Sequence, residues 1–290
     1  MLTTSDIERY QRDGYIIVPD LLRPAEIATL QAVIDRWMTN ASTVDTHDDI
    51  YDLEPGHTRA APRVRRIKAP HRLEPRFLDV VRSEPVLAVL SCLLGPNLRL
   101  HGSKLNIKAP QYGSPVEWHQ DWAFYPHTND DILAIGVMLD DMDLVNGPLL
   151  VVPGSHRGPV FDHHYAGRFC GAVDPASIAS EVARAVPITG KAGTMSFHHV
   201  RLLHGSAENT STRRRQLLLY EVSAADAWPL AGGMTLLGDF DDRMIAGANT
   251  IEPRMTAVPI RMPHPPPLRS GSIYENQAVR TQKYFATTAQ

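Results

Sequence analysis

Hydrophobic and polar positions alternate along this chain in two registers, helical near the N-terminus and strand-like after about residue 98. A short helix is expected over Asp6 to Asp13, capped near Thr4 or Ser5 and closed by Gly14, followed by a strand at Tyr15 to Val18. Pro24 opens a second helix, where Ile27, Leu30, Val33, Ile34 and Trp37 recur with helical spacing. Residues 40–62 are polar and turn-rich, with Pro55-Gly56 among them, and read as a long loop of the kind that serves as a lid. Arg76 to Leu94 is helical, interrupted near Pro85 and ended by Gly95-Pro96.

From there the period changes to two. Strands are expected at Leu98 to Ala109, Val116 to Trp122, Ile132 to Leu139, Leu149 to Val152, Thr194 to His198 and Arg215 to Ser223. Short strands separated by Gly, Pro and Asn turns predict a mainly β fold, a sandwich or jelly roll with the helices packed outside. The chain shows no internal repeat. The expected organisation is one domain over 1–290, with a helical flank at about 5–95, a β core at about 98–225 and a peripheral C-terminal segment at about 230–290. Pro263 to Pro267 reads as extended tail within that segment.

Composition excludes more than it proves. At 290 residues and 43% hydrophobic content the chain can bury a substantial core, so size does not limit folding. A net charge of -3 provides no general attraction for nucleic acid or an anionic membrane. Cys92 and Cys170 are too few for a disulfide framework or a structural zinc cluster. The charged Asp6, Glu8 and Arg9 stand where a signal peptide needs an apolar stretch, and Val86 to Leu94 is about half a membrane span. The expectation is a cytoplasmic protein; oligomeric state is not legible.

Candidate chemistry centres on His119-Gln120-Asp121 and on His204 in His204-Gly205-Ser206. On an extended strand, residues two apart share a face, so His119 and Asp121 could grip one ion, and a second strand carrying His204 would complete a two-histidine, one-carboxylate triad. His198 and His199 are rival third ligands. On the strand from Leu100 to Lys108, the residues Lys104, Asn106 and Lys108 share a face opposite Leu105 and Ile107. That polar face either lines a cavity or meets solvent.

Trp118-His119-Gln120-Asp121-Trp122, Asn146-Gly147-Pro148, Pro153-Gly154-Ser155-His156 and His204-Gly205-Ser206 with Asn209 and Arg215 together resemble the phytanoyl-CoA dioxygenase family, relatives of ectoine hydroxylase. The resemblance runs over roughly residues 5–225. It implies a double-stranded β-helix of cupin type and an oxygenase that uses Fe(II), O2 and 2-oxoglutarate, with His119, Asp121 and His204 as both metal ligands and catalytic centre. It also implies that Arg215 anchors the far carboxylate of 2-oxoglutarate, a pairing that suits a guanidinium fork, with Ser206 assisting. Asn106 matches a cosubstrate-contacting asparagine of the ectoine hydroxylase branch, and Lys104 is its neighbouring candidate. Asp121 stands where related halogenases carry a small residue, which points to hydroxylation rather than halogen transfer.

The implied reaction hydroxylates an unactivated carbon of a small organic molecule, releasing succinate and CO2. Trp118, Gln120, Trp122, Phe124, Tyr125 and His127 surround the triad as candidate pocket walls. The run Arg63, Arg65, Arg66, Lys68, His71 and Arg72 would draw an anionic substrate, or else form a solvated strand with stray ion pairs. Two other classes compete: a noncatalytic metal-binding jelly roll acting as sensor or scaffold, and a zinc-dependent hydrolase. The first would not need a separate arginine anchor, and the second lacks an evident general base.

Overall fold

Thr3 starts the first helix through a reciprocal cap, its hydroxyl accepting from the Asp6 N–H while the Asp6 carboxylate accepts from the Thr3 N–H at 2.9 Å. The computed structural model describes residues 2–111, 113–231, 238–261, 266–267 and 272–285. Helix α1 (Thr4–Asp13) ends at Gly14, whose φ of 81° suits a residue without a Cβ. Strand β1 (Tyr15–Val18) follows, then α2 (Pro24–Asn40), which turns Ile27, Leu30, Val33 and Ile34 into the core. β1 and α2 match the pattern read from the chain, whereas α1 is capped by Thr3 rather than by Thr4 or Ser5, because Asp6 three residues on closes the reciprocal cap.

The 40–62 loop is a correction. Within it lies β2 (Tyr51–Leu53), paired antiparallel with β3 (Val64–Lys68) at the edge of the main sheet. Its polarity was misleading because the charges are buried against each other: Asp52 and Arg65, 1% and 7% exposed, form an ion pair at 3.0 Å. After α3 (Pro70–Leu73), the long helical stretch is two helices, α4 (Pro75–Arg82) and α5 (Glu84–Leu94), broken at Ser83 just before the Glu84-Pro85 step.

The core strands are β4 (Leu98–Lys108), β5 (Val116–His119), β6 (Ile132–Met138), β7 (Leu149–Val151), the small hairpin β8 (His164–Tyr165) and β9 (Arg168–Phe169), β10 (Val186–Ile188) after α6 (Ala179–Val182), β11 (Met195–His199), β12 (His204–Ser206), β13 (Arg215–Ala224), and β14 (Met244–Ala246) after α7 (Gly238–Asp241). A final helix α8 spans Ile273–Gln277. Strand order in the main sheet is β1-β11-β6-β13-β4-β3-β2, with β14 also pairing β4; a second sheet runs β10-β7-β12-β5. The two sheets form the jelly roll, and the site lies between them.

Helices α2, α4 and α5 cover the outer face of the main sheet, where Ile34, Phe77, Leu90, Leu105, Ile107, Phe197 and Tyr220 join one apolar cluster. Leu105 and Ile107 therefore face the helices, and strand alternation turns Lys104, Asn106 and Lys108 inward. The polar face of β4 lines a cavity.

The C-terminal segment is not peripheral between Ile273 and Phe285. Gln277 accepts the Glu117 N–H at 3.0 Å and donates to the Gly171 carbonyl at 2.7 Å, while Phe285 stacks on Trp118 at 5.8 Å. Its docking uses scattered long-range contacts, among them the Tyr284 ring edge-on to Trp118 and an Arg280–Asp174 ion pair, which leave no periodic trace in the sequence. Of the Pro-rich stretch, positions 263–265 lie outside the described residues. Among the described residues no helix is long and apolar enough to cross a membrane.

Candidate active site

β5 and β12 are neighbours in the second sheet, and their register sets His204 opposite His119. Each ring places Nδ1 against a carbonyl two residues back in its own chain, at 2.7 Å from Glu117 O for His119 and 2.8 Å from Leu202 O for His204. A carbonyl only accepts, so Nδ1 carries the proton and Nε2 keeps its lone pair, the form a metal ligand needs.

Asp121 reaches the same place by a different route from the one expected. β5 ends at His119, Gln120 alone continues extended, and Asp121 opens a 3-10 turn through Ala123. The alignment thus comes from a turn rather than from strand alternation. Gln120 fixes that turn: its N–H donates to His163 Nε2 at 2.8 Å, its amide nitrogen to the carbonyls of Pro159 and Arg201, and its amide oxygen accepts from the Phe161 N–H. Fully buried, it serves the site from behind the ligands.

Asp121 Oδ1 lies 3.7 Å from His119 Nε2, and Oδ2 lies 4.0 Å from His204 Nε2. Adjacent ligand atoms on a metal with bonds of about 2.1 Å sit roughly 3 Å apart, so a small contraction would close all three on one ion. Burial pushes the Asp121 carboxyl up, but the Lys104 ammonium and the imidazoles of His204, His119 and His198 outweigh it and hold the group below the usual carboxylate range. Burial drives both histidines below their ordinary value, and the neutral ring is the ligating one. The residues present fit a facial-triad iron site.

His198 stands nearby on β11, its Nε2 3.9 Å from Asp121 Oδ2, but its buried Nδ1 has no hydrogen-bond partner among the described residues to set the tautomer. His199 turns the other way, toward Asp130 and His156.

The triad forms one wall of a cavity of about 50 Å³ that Lys104, Asn106, Ser206 and Arg215 also line. All seven residues singled out from the chain thus meet around one space. Arg215, 2% exposed, donates from one terminal nitrogen to Gly147 O at 2.6 Å, and its Nε and Nη1 have no partner among the described residues. Burial lowers its pKa to about 10, still cationic at neutral pH. Gly147 has φ 75°, and a Cβ there would lie 2.8 Å from the Lys108 side chain, so a side chain at that turn would crowd the cleft. Arg213 and Arg214 pair with Asp143 and Asp35 at the surface.

Lys104 pairs with Glu221 at 2.8 Å, and Asn106 accepts from Arg66 Nε at 2.9 Å. Of the basic run, Arg66 reaches the cavity, whereas Arg65 pairs with Asp52 and Lys68 donates to the Asp48 carbonyl. Trp118 and Trp122 are core residues, each 1% exposed. Tyr125 is closer to the chemistry: burial, followed by the charge of the Asp121 carboxylate, raises its phenol well above the ordinary value.

Two cavity residues carried no assigned role in the sequence. Lys108 lies opposite Arg215 in the β4–β13 register and donates to Ser206 Oγ at 2.9 Å and to the Ala207 carbonyl. Its place on the polar face of β4 was the available signal. Tyr274, on α8, had none.

The phytanoyl-CoA dioxygenase family model matches residues 10–217. The chain is 39% identical over 280 residues to a Stutzerimonas stutzeri protein described as a "probable alpha-ketoglutarate-dependent hypophosphite dioxygenase", covering 95% of this chain and 97% of that protein. It is 30% identical over 232 residues to L-proline trans-4-hydroxylase of Streptomyces griseoviridis, covering 73% and 82%. EctD from S. alaskensis, solved with 2-oxoglutarate and 5-hydroxyectoine, superposes with a TM-score of 0.65 at 28% identity over 77% of each chain. The same protein has been solved with bound Fe. With the jelly roll, the buried His-Asp-His group and these likenesses together, the chain belongs to the phytanoyl-CoA dioxygenase family.

Proposed function

We propose that His119, Asp121 and His204 hold the Fe(II) of a 2-oxoglutarate-dependent dioxygenase and that Arg215, with Ser206 and Lys108 beside it, receives the far carboxylate of the cosubstrate. The supporting observation is the junction, in one buried cavity, of three converging ligand atoms and a guanidinium with two unpaired nitrogens. A buried cation with spare donors costs stability unless an anion meets it, which is the logic of an oxoacid anchor. Iron bound there would couple decarboxylation of 2-oxoglutarate, to succinate and CO2, to hydroxylation by O2.

The chain's own groups supply the rest. Glu117 O and Leu202 O hold the histidine tautomers, and Gln120 braces the loop between two ligands. Leu217 and Leu219 give the cavity an apolar floor, which keeps bulk water from the reacting centre. Lys104 and Asn106 border the iron end of the cosubstrate, and Lys104 keeps Asp121 ionised at any working pH.

The substrate is proposed to be small and anionic. Arg66 and Lys104 bring positive charge to a cavity of limited volume, and hypophosphite, named for the Stutzerimonas stutzeri relative, is a small oxyanion. Hypophosphite carries its oxidisable hydrogens on phosphorus, so a test panel needs inorganic P–H compounds beside carboxylates and phosphonates with C–H bonds. Succinate formation by the Fe(II) protein, measured with each compound in turn, tests the reading. Anion-dependent succinate release is the expected result; turnover only with neutral or cationic compounds would overturn the substrate class. Noncatalytic metal binding and zinc hydrolysis are not favoured, because the named relatives are oxygenases.

A further inference from the structure

Arg215 is not alone in facing the cavity with unused donors. Tyr274 lines it too, and its hydroxyl is buried without a partner among the described residues. The residue is 7% exposed, with the guanidinium carbons of Arg65 and Arg66 lying 4.6 Å and 5.0 Å from its ring centroid. These stacked cations fix the ring and leave the hydroxyl as the free end. Burial raises the phenol above its ordinary value, so it stays protonated and can donate. Two unsatisfied nitrogens of Arg215 and one unsatisfied phenol, brought by segments far apart in sequence, have in common the need for one acceptor.

Tyr274 is carried on a strap that is pinned on two sides. On one side Gln277 bonds to Glu117 and Gly171, and the Tyr284 N–H donates to the Glu117 carboxylate at 2.8 Å. Phe285 packs there too, so close that a Cβ on Gly205, next to His204, would lie 3.1 Å from its ring. On the other side His47 accepts the Leu53 N–H of β2 at Nδ1, at 3.0 Å, and its Nε2 lies 3.0 Å from the Glu275 carboxylate of α8. The strap therefore holds Tyr274 over the cavity.

We propose that Tyr274 is a 2-oxoglutarate-binding residue, its hydroxyl donating to the far carboxylate that Arg215 anchors, and that the strap from Ser272 to Phe285 completes the cosubstrate site. The inference rests on the reading of Arg215 given above. It places part of the site outside residues 10–217, the span matched by the family model. Ile273 and Tyr274 both line the cavity, so a segment beyond that span reaches the cosubstrate space.

The test uses the full chain loaded with Fe(II) without oxygen and follows the visible metal-to-ligand band as 2-oxoglutarate is added. Tyr274→Phe keeps the ring and its stacking and removes one donor. It should weaken 2-oxoglutarate about tenfold, as expected for a hydrogen bond to a charged group, with iron content and circular dichroism unchanged. The same titration with 2-oxobutyrate, which lacks the far carboxylate, should show wild type and Tyr274→Phe binding alike. An affinity for 2-oxoglutarate within twofold of wild type overturns the proposal. So does an equal loss for both oxoacids, which would make the hydroxyl a support of the strap and nothing more. Absence of the band in the wild type would instead defeat the dioxygenase site itself, a result distinguishable from either.

Discussion

His204 faces His119 across the β5–β12 pair with ring centroids 4.1 Å apart, and both rings turn their Nε2 atoms toward the Asp121 carboxylate. Asp121→Ala and His204→Ala are therefore expected to lose stoichiometric iron and hydroxylation while far-UV circular dichroism stays native, since neither removes core volume. His198→Ala and His199→Ala should keep their iron. Iron assays on the four variants check this, and the opposite pattern would move the third ligand to β11.

Arg215→Ala should weaken 2-oxoglutarate roughly 30-fold or more, because losing one partner of a buried charge pair costs about 2–5 kcal/mol and each 1.4 kcal/mol is about tenfold. Arg214, 39% exposed and paired with Asp35, should tolerate alanine with little change. Anaerobic titration of the Fe(II) protein reads both numbers. Unchanged affinity in Arg215→Ala would remove the anchor from the proposed site.

Acid should destabilise the fold through histidines held neutral. His163 is 1% exposed, and burial pushes its pKa down to about 4. Its Nδ1 proton goes to the Phe161 carbonyl at 2.8 Å and its Nε2 accepts from Gln120, so protonation breaks the bond bracing the turn between His119 and Asp121. The folded value lies below the unfolded one, near 6.5, so the unfolded chain binds more protons between them. Stability is then fully present above about pH 6.5 and falls as pH drops toward 4, an effect His127, also pushed down to about 4, reinforces. Melting temperatures of the metal-free protein between pH 8 and 4 should decline in that window. A flat profile would show that these rings are not held neutral.

Gln120→Leu removes the donors and acceptor that reach Pro159, Arg201 and Phe161, leaving buried backbone groups unpaired. A loss of about 3 kcal/mol in urea unfolding is expected, at roughly 1–3 kcal/mol per unpaired group after partial relaxation. Iron affinity should fall as well, since the loop between the two ligands loosens. Wild-type stability in this variant would mean that water replaces the amide.

Local chemistry made much of this protein legible in its sequence. Gly14, Pro24 and Gly95 mark helix ends because backbone sterics act within a few residues, and the even positions Lys104, Asn106 and Lys108 share a face because the pleat has a period of two. What stayed hidden depends on distance across the fold. β2 escaped notice because Asp52 is acceptable in a core strand only with the Arg65 guanidinium paired to it. Asp121 joins His119 through a 3-10 turn whose brace is Gln120, and that brace exists only once residues 159–163 and Arg201 are folded against it. The placement of Tyr274 over the cavity is decided by Gln277, Phe285 and His47 gripping separate strands. Sequence by itself determined which residues could serve as ligands and anchor, since those capacities belong to side-chain chemistry and near-neighbour geometry. Tertiary structure alone decided that they share one buried cavity lined in part by the C-terminal strap, because burial and unpaired hydrogen-bond donors are properties of distant segments brought together.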